Sequence, residues 1–251
     1  MSFSAIAAVL TIIFVAALVR SAFGFGDALV GMPLLALVVP IRAATPLMAL
    51  VGPTIAVLML ARSWRRVDFR STAVLIVSTL AGIPFGLYAL KSVREGLIDI
   101  VLAGVIILFA LYSLFRPEVR RLKSARSAPA FGFAAGVLGA ATNSNGPPVV
   151  FYGALRGWPP ESFRATLQGY FILTGPAILI GQAAAGFLTA RVWRAYLYSL
   201  PLIAIAVWAG HGLGRRLPAA RFYRWIYGLL LAAGLGLVLK TLLASPGLKG
   251  G

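Results

Sequence analysis

Long apolar runs alternate with short basic clusters along the whole chain. Because about 20 apolar residues span the hydrocarbon core of a bilayer, we divide the sequence at its charges. The division yields ten hydrophobic segments, five on each side of a basic linker at 116–127. They cover residues 3–19, 28–39, 43–61, 71–90 and 96–115, and then 128–141, 147–155, 165–190, 195–213 and 225–239. The pattern predicts an all-α, polytopic membrane protein.

The two sets of five segments share short motifs in the same order, which indicates a duplication. Gly26 to Pro33 in the first set corresponds to Ala140 to Pro148 in the second. The further matches are Ala44-Thr45 with Ala165-Thr166, Gly52-Pro53 with Gly175-Pro176, Phe69-Arg70 with Trp193-Arg194, and Gly82 and Gly86 with Gly210 and Gly214. We therefore expect a first transmembrane repeat at 1–115, a cytoplasmic linker at 116–127 and a second repeat at 128–251.

The charges of the loops predict how the two repeats are oriented. Residues 62–70 and 215–224 hold four arginines each, and residues 116–126 hold five basic residues. The positive-inside rule places these three stretches in the cytoplasm. The loop around Lys91 and Arg94 and the loop around Arg191 and Arg194 then lie outside, as do both termini. Matching loops of the two halves fall on opposite sides, so we expect an inverted repeat.

Two of the segments are interrupted or short, and they predict half-helices inside the membrane. Residues 128–155 carry no charge but contain Asn143-Ser144-Asn145-Gly146-Pro147-Pro148 near their middle. Asn or Ser before Pro is typical of a capped helix start. The first repeat has its counterpart in Gly24-Phe25-Gly26-Asp27. The short segments 28–39 and 147–155 either cross or turn back, which the sequence leaves open.

Such breaks are candidates for a binding site. Non-helical backbone at membrane depth must be buried in protein or line a wet cavity. Helix N-termini carry partial positive charge and free amides, which favours anions. We predict that the substrate-binding residues include both breaks and polar side chains of the third segments. The set is Gly24, Phe25, Gly26, Asp27, Asn143, Ser144, Asn145, Gly146, Pro147, Thr45, Thr166 and Gln168.

Several of these residues have more than one interpretation. Asp27 could cap the helix that follows it, couple transport to protons as a buried carboxyl, or pair with Arg20. Thr45, Thr166 and Gln168 could serve the cavity or join helices. Asp99 is predicted to lie at a helix entry within reach of Arg94.

Composition narrows the function. The 251 residues are 60% hydrophobic and 12% charged, whereas soluble domains average about 25% charged residues. The net charge of +17 comes from loop clusters, so we do not expect nucleic-acid binding. There is no cysteine and one histidine, and nucleophile, zinc-protease and ATP-binding motifs are missing. We therefore expect no metal, no cofactor and no enzymatic activity, and the first segment lacks the basic start of a cleavable signal.

The sequence also resembles a known family. The stretch Phe23-Gly24-Phe25-Gly26-Asp27, the run from Thr142 to Pro148, and the later Arg156-Gly157-Trp158 and Arg164-Ala165-Thr166 resemble the TauE/SafE permeases. The resemblance implies export of sulfite, sulfoacetate or related small anions. Asp27 departs from the pattern, because many members have a further glycine there.

Together these observations favour a secondary transporter or uniporter for small sulfur-containing anions in the cytoplasmic (inner) membrane. An intramembrane enzyme acting on a lipid-like substrate and a passive anion channel are the alternatives. The expected partners are the anion and the lipid bilayer, and the sequence leaves a homodimer open.

Overall fold

The computed structural model describes residues 3–60, 69–115, 125–158, 160–216 and 219–244, and these residues form ten α-helices and no strand. The all-α prediction is thus confirmed for the described residues. The first half contains α1 (Phe3–Phe23), α2 (Asp27–Val38), α3 (Ile41–Leu60), α4 (Phe69–Ser92) and α5 (Glu95–Phe115). After a 3₁₀ turn at Ala125–Ser127, the second half contains α6 (Ala128–Thr142), α7 (Gly146–Arg156), α8 (Pro160–Ala184), α9 (Ala190–Arg216) and α10 (Ala219–Ala244).

Six of these helices are long and apolar enough to cross a membrane. The spans are Ser4–Ala22, Ile41–Met59, Thr72–Ser92, Glu95–Phe115, Ala190–Leu213 and Ile226–Leu243. Three apolar stretches of helix are shorter, namely Asp27–Val38, Ala128–Thr142 and Gly169–Ala184. The protein is therefore a multi-pass membrane protein that combines full-length spans with shorter apolar helices.

The predicted loop around Arg191 and Arg194 is wrong. The eighth helix ends at Ala184, a turn through the left-handed Gly186 (φ 81°) follows, and α9 already begins at Ala190. Thr189 precedes α9, and its Oγ1 accepts a hydrogen bond from the Val192 amide at 3.4 Å. Both arginines therefore lie in the first two turns of a capped helix. The predicted basic stretches 62–70 and 116–126 fall largely on 61–68 and 116–124, outside the described residues. The loop predicted at 215–224 is wrong in the same way, because α9 continues to Arg216 and α10 begins at Ala219, so its four arginines lie in these two helices.

The main helix–helix contacts join the first half of the chain to the second. The α4 helix packs along α6, and α1 packs along α9. If each helix is matched to its counterpart in the other half, α1 corresponds to α6 and α4 corresponds to α9. The α4–α6 interface then corresponds to the α1–α9 interface. The pairs α5–α10 and α3–α8 each join a helix to its own counterpart. This pairing agrees with a duplication, while the opposite orientation of the halves stays a prediction.

Glycines allow the backbones of α4 and α6 to approach closely. A Cβ atom added to Gly82 or Gly86 would lie 2.3 Å or 2.2 Å from a carbonyl oxygen of α6. From the other side, a Cβ on Gly136 would lie 2.1 Å from the Thr79 carbonyl oxygen. The motif-matched Gly210 of α9 faces Leu18 of α1 in the same way, with a distance of 2.7 Å. Small residues four apart thus bring the helices together without bulky side chains.

Candidate functional site: a cavity between the two helix breaks

The break between α1 and α2 and the break between α6 and α7 open into one cavity of about 390 Å³. Helices α3 and α8 complete its walls. The lining is mostly apolar, and its polar side chains come from the two breaks. They are Arg20, Asp27, Asn143, Ser144 and Asn145. The size and the few converging polar groups are typical of a small-ligand site.

Glycines shape the first break. Gly24 (φ 90°) and Gly26 (φ 104°) adopt left-handed conformations that residues with a Cβ rarely take. Gly26 is the N-cap of α2, and its carbonyl accepts the first helical hydrogen bond, from the Val30 amide at 3.0 Å. The amides of Asp27, Ala28 and Leu29 come before this first bond, so they have no acceptor within the helix. These three residues line the cavity. The positive end of α2 is thus directed at the cavity.

Asp27 does not cap α2, so the capping interpretation is wrong. Residue 27 is the first residue of the helix, and no side chain is hydrogen-bonded at the cap. Instead, Arg20 Nη1 donates a hydrogen bond to Asp27 Oδ2 at 2.6 Å, which is the third of the predicted arrangements. Both side chains are buried, with exposed fractions of 6% and 10%. The role of Asp27 in proton coupling stays a prediction.

Arg20 is a cavity residue that the sequence analysis did not include in the predicted site. Arg20 is the charged residue at the end of the first apolar run, and it lies seven residues before Asp27. The guanidinium carbon lies 5.9 Å from the centroid of the Phe171 ring, at the outer limit of a cation–π contact. The available signal was a basic and an acidic residue flanking one glycine-rich break, since intramembrane charges usually pair.

The second break carries no charged side chain, and the side-chain capping predicted for its helix start is not observed. Asn143 takes a left-handed conformation (φ 53°) that ends α6, and α7 begins at Gly146 with Pro147 in its first turn. Asn145 occupies the N-cap, yet its side chain does not cap the helix. Its Nδ2 donates to Thr174 Oγ1 at 3.4 Å instead. Because Pro147 and Pro148 lack N–H groups, the first turn of α7 offers mainly its dipole and the Gly146 amide.

The matched Gly-Pro pairs of the two halves meet at the cavity. Gly52-Pro53 of α3 and Gly175-Pro176 of α8 all line it. A Cβ on Gly175 would lie 3.7 Å from Pro53 Cγ, so the two pairs are in contact range. Motif-matched positions of the two halves of the chain therefore both contribute to the cavity walls.

The structure separates the predicted site residues into three groups. Eight of them line the cavity, namely Phe25, Gly26, Asp27, Asn143, Ser144, Asn145, Gly146 and Pro147. Gly24, Thr45 and Thr166 are not among the lining residues. Thr45 joins helices, because its Oγ1 donates to the Ala141 carbonyl of α6 at 3.3 Å. The side chain of Gln168 lies outside the described part of the chain.

Other charged groups support the helices that carry the site. Arg42 donates to the carbonyls of Leu90, Lys91 and Val93 at 3.0–3.1 Å, which satisfies the end of α4. Asp99 lies near the start of α5, as predicted, and its ion-pair partner is Lys240 of α10 at 3.6 Å. Lys240 Nζ also donates to the Ala36 carbonyl near the end of α2. Among the described residues, no three potential metal-ligating His, Cys, Asp or Glu side chains cluster.

Comparisons with known proteins give one match. The model of a family described as "Sulfite exporter TauE/SafE" matches residues 9–237, which is most of the chain. No curated protein and no solved structure matches significantly.

Proposed function

We propose that this chain, which belongs to the sulfite exporter TauE/SafE family, carries small sulfur-containing anions such as sulfite or a sulfonate out across the cytoplasmic membrane. Members of the family are transporters and not enzymes, so the family match does not support a lipid-acting enzyme. The substrate, the direction and the membrane are parts of the proposal.

One observation carries the proposed site: both helix breaks line the same cavity. The first break supplies a buried guanidinium and the positive end of α2. The second supplies two asparagine side chains and the positive end of α7. Two opposed helix N-termini at a break in the membrane are a recurring way to hold an anionic group.

The membrane potential provides a sufficient driving force. With a negative interior, moving one negative charge outward gains about 2.3 kcal/mol per 100 mV. At equal concentrations on the two sides, export of an anion is therefore downhill without a coupled ion. Proton coupling through Asp27, a buried carboxylate on the cavity, would add a second driving force and allow exchange or import.

The test is the flux of radiolabelled sulfite, sulfoacetate and thiosulfate in proteoliposomes, with membrane potential and pH gradient set independently. We expect saturable flux that follows the potential, and a reduction of at least tenfold in Asn143→Ala and Asn145→Ala. Gln182→Ala is the matched control. It removes a buried amide that donates to the Ala140 carbonyl at 3.1 Å, away from the cavity lining.

The possible outcomes separate the alternatives. Flux that never saturates would indicate a channel, and normal flux in well-folded Asn143 and Asn145 variants would exclude the proposed site. Proton coupling would be assigned to Asp27 by two results together. Flux through the wild type would require a pH gradient, and Asp27→Asn would either stop the flux or remove that requirement. Absence of flux for all three anions would overturn the proposed function.

A further inference from the structure

The guanidinium of Arg20 has hydrogen-bonding capacity that the protein does not use. A guanidinium carries five N–H donors in a planar fork. Only Nη1 contacts Asp27, and Arg20 Nε is buried without a hydrogen-bond partner among the described residues. A buried donor left unpaired is costly, and more so when it is charged. Because the Arg20 residue lines the cavity, a ligand bound there would adjoin this incompletely paired guanidinium.

We infer that Arg20 is the charged ligand of the transported anion and that Asp27 competes with the anion for it. The inference rests on the anion transport proposed above and adds how the anion is recognised. An oxyanion with two or more oxygens can accept from Nε and a terminal nitrogen together, which is the geometry that arginine favours. A sulfite or sulfonate group meets this requirement, whereas a halide does not.

The surroundings of Arg20 leave room for this exchange. Gly52 lies beside the ion pair, and a Cβ there would be 3.6 Å from Arg20 Nη1 and equally far from Asp27 Oδ2. Without a side chain at position 52, no Cβ crowds Nη1 or the Asp27 carboxylate on this side. The Phe171 ring lies 5.9 Å from the guanidinium carbon and limits where the guanidinium can move.

Charge balance explains why Asp27 competes. The ion pair is neutral, so an anion added to it makes the low-dielectric cavity negative, which is unfavourable. The anion binds well only if it replaces Asp27 as the partner of Arg20 or if Asp27 is neutral. The second break contains no charged side chain among its cavity-lining residues, Asn143 to Pro147. The first half of the chain therefore supplies the charged group that binds the anion, and the second half supplies neutral hydrogen-bonding side chains.

The test compares four variants by the equilibrium binding of radiolabelled sulfite to purified protein. They are Arg20→Gln, Asp27→Asn, the double variant Arg20→Gln/Asp27→Asn, and Arg20→Lys. The double variant removes both charges, so it leaves no unpaired buried ion that would destabilise the fold. Size-exclusion profiles report folding. Arg194→Gln is the charge-matched control, because Arg194 is exposed and donates to the Ala190 carbonyl of its own helix.

We expect Asp27→Asn to bind sulfite several-fold more tightly, because it removes the competitor. Arg20→Gln and the double variant should bind at least tenfold more weakly, and Arg20→Lys should also weaken binding because an ammonium lacks the fork. A well-folded double variant with wild-type affinity would overturn the inference and make the pair structural. Weaker binding in Asp27→Asn would contradict the competition. If the wild type neither binds nor transports the anions, the proposed function itself fails.

Discussion

At the scale of single residues, Gly52 and Gly175 test whether the two halves of the cavity have different tasks. They occupy matching positions, but Gly52 adjoins the Arg20–Asp27 pair and Gly175 adjoins Pro53. In both, a Cβ would meet its neighbours at 3.6–3.7 Å, which is ordinary contact. The Cβ of a valine at 52 would therefore adjoin the ion pair, whereas the Cβ of a valine at 175 would adjoin the apolar Pro53 ring.

We therefore expect Gly52→Val to raise the KM for sulfite flux at least tenfold, and Gly175→Val to raise it less. Both changes put the same β-branched residue into a membrane helix, so the intrinsic helix cost is matched. Initial rates in proteoliposomes over a range of sulfite concentrations provide the measurement. Equal effects of the two variants would show that the anion does not favour the first half.

The residues of the site were only partly predictable. Three adjacent polar side chains in an apolar run are expensive in hydrocarbon, so Asn143 to Asn145 stood out in the sequence. Their partners did not, because Asn145 bonds to Thr174, which is 29 residues away. Lys240 is 204 residues from the Ala36 carbonyl that it contacts, and local patterns cannot reveal such a pair. Side-chain capping was predicted at the second break and was one of three interpretations of Asp27 at the first; Asn145 bonds to Thr174 instead, and Asp27 pairs with Arg20, which was another of those interpretations.

At the scale of elements, the α4–α6 contact depends on glycines that admit no side chain. A Cβ on Gly136 would lie 2.1 Å from the Thr79 carbonyl oxygen, which is backbone and cannot rotate away. We expect Gly136→Ala to lower stability by about 1–3 kcal/mol through overpacking. Gly104 of α5 is the control, since nothing lies within 4 Å of its added Cβ.

Gly104→Ala should be neutral or stabilise the helix by up to about 1 kcal/mol, because glycine is the weaker helix former. Thermal unfolding in detergent, followed by size-exclusion chromatography, measures both variants. If the two alanine substitutions shift the Tm equally, the close approach of α4 and α6 does not contribute to stability.

The existence of the helices was predictable, and some of their ends were not. Each predicted segment corresponds to one of the ten described helices, because charges are excluded from spans. The eighth segment was predicted at 165–190, but α8 runs from Pro160 to Ala184. Proline fits the first turn of a helix, so α8 begins before the charged residues that marked the predicted boundary. Charge marks the membrane boundary, while caps and turns decide where a helix ends.

At the scale of the whole molecule, the packing is symmetric although the charge is not. The α1–α9 interface corresponds to the α4–α6 interface when the two halves are matched helix by helix, and α3 contacts its counterpart α8 beside the cavity. An odd number of crossings per half would make the repeats inverted, so that each could open the shared cavity to a different side. The basic clusters at 62–70, 116–126 and 215–224 predict the same orientation.

The absence of cysteine from the sequence makes this orientation directly measurable. Inverted halves place the end of α4 and the start of α9 on the same, outer side, whereas parallel halves place them on opposite sides. Single-cysteine variants Ser92→Cys and Ala190→Cys, both at exposed positions, should therefore react with a membrane-impermeant maleimide added to intact cells. Arg126→Cys, in the predicted cytoplasmic linker, should react only after the membrane is permeabilised. Labelling of Ser92→Cys and Ala190→Cys from opposite sides would exclude an inverted repeat and, with it, alternating access by exchange of equivalent halves.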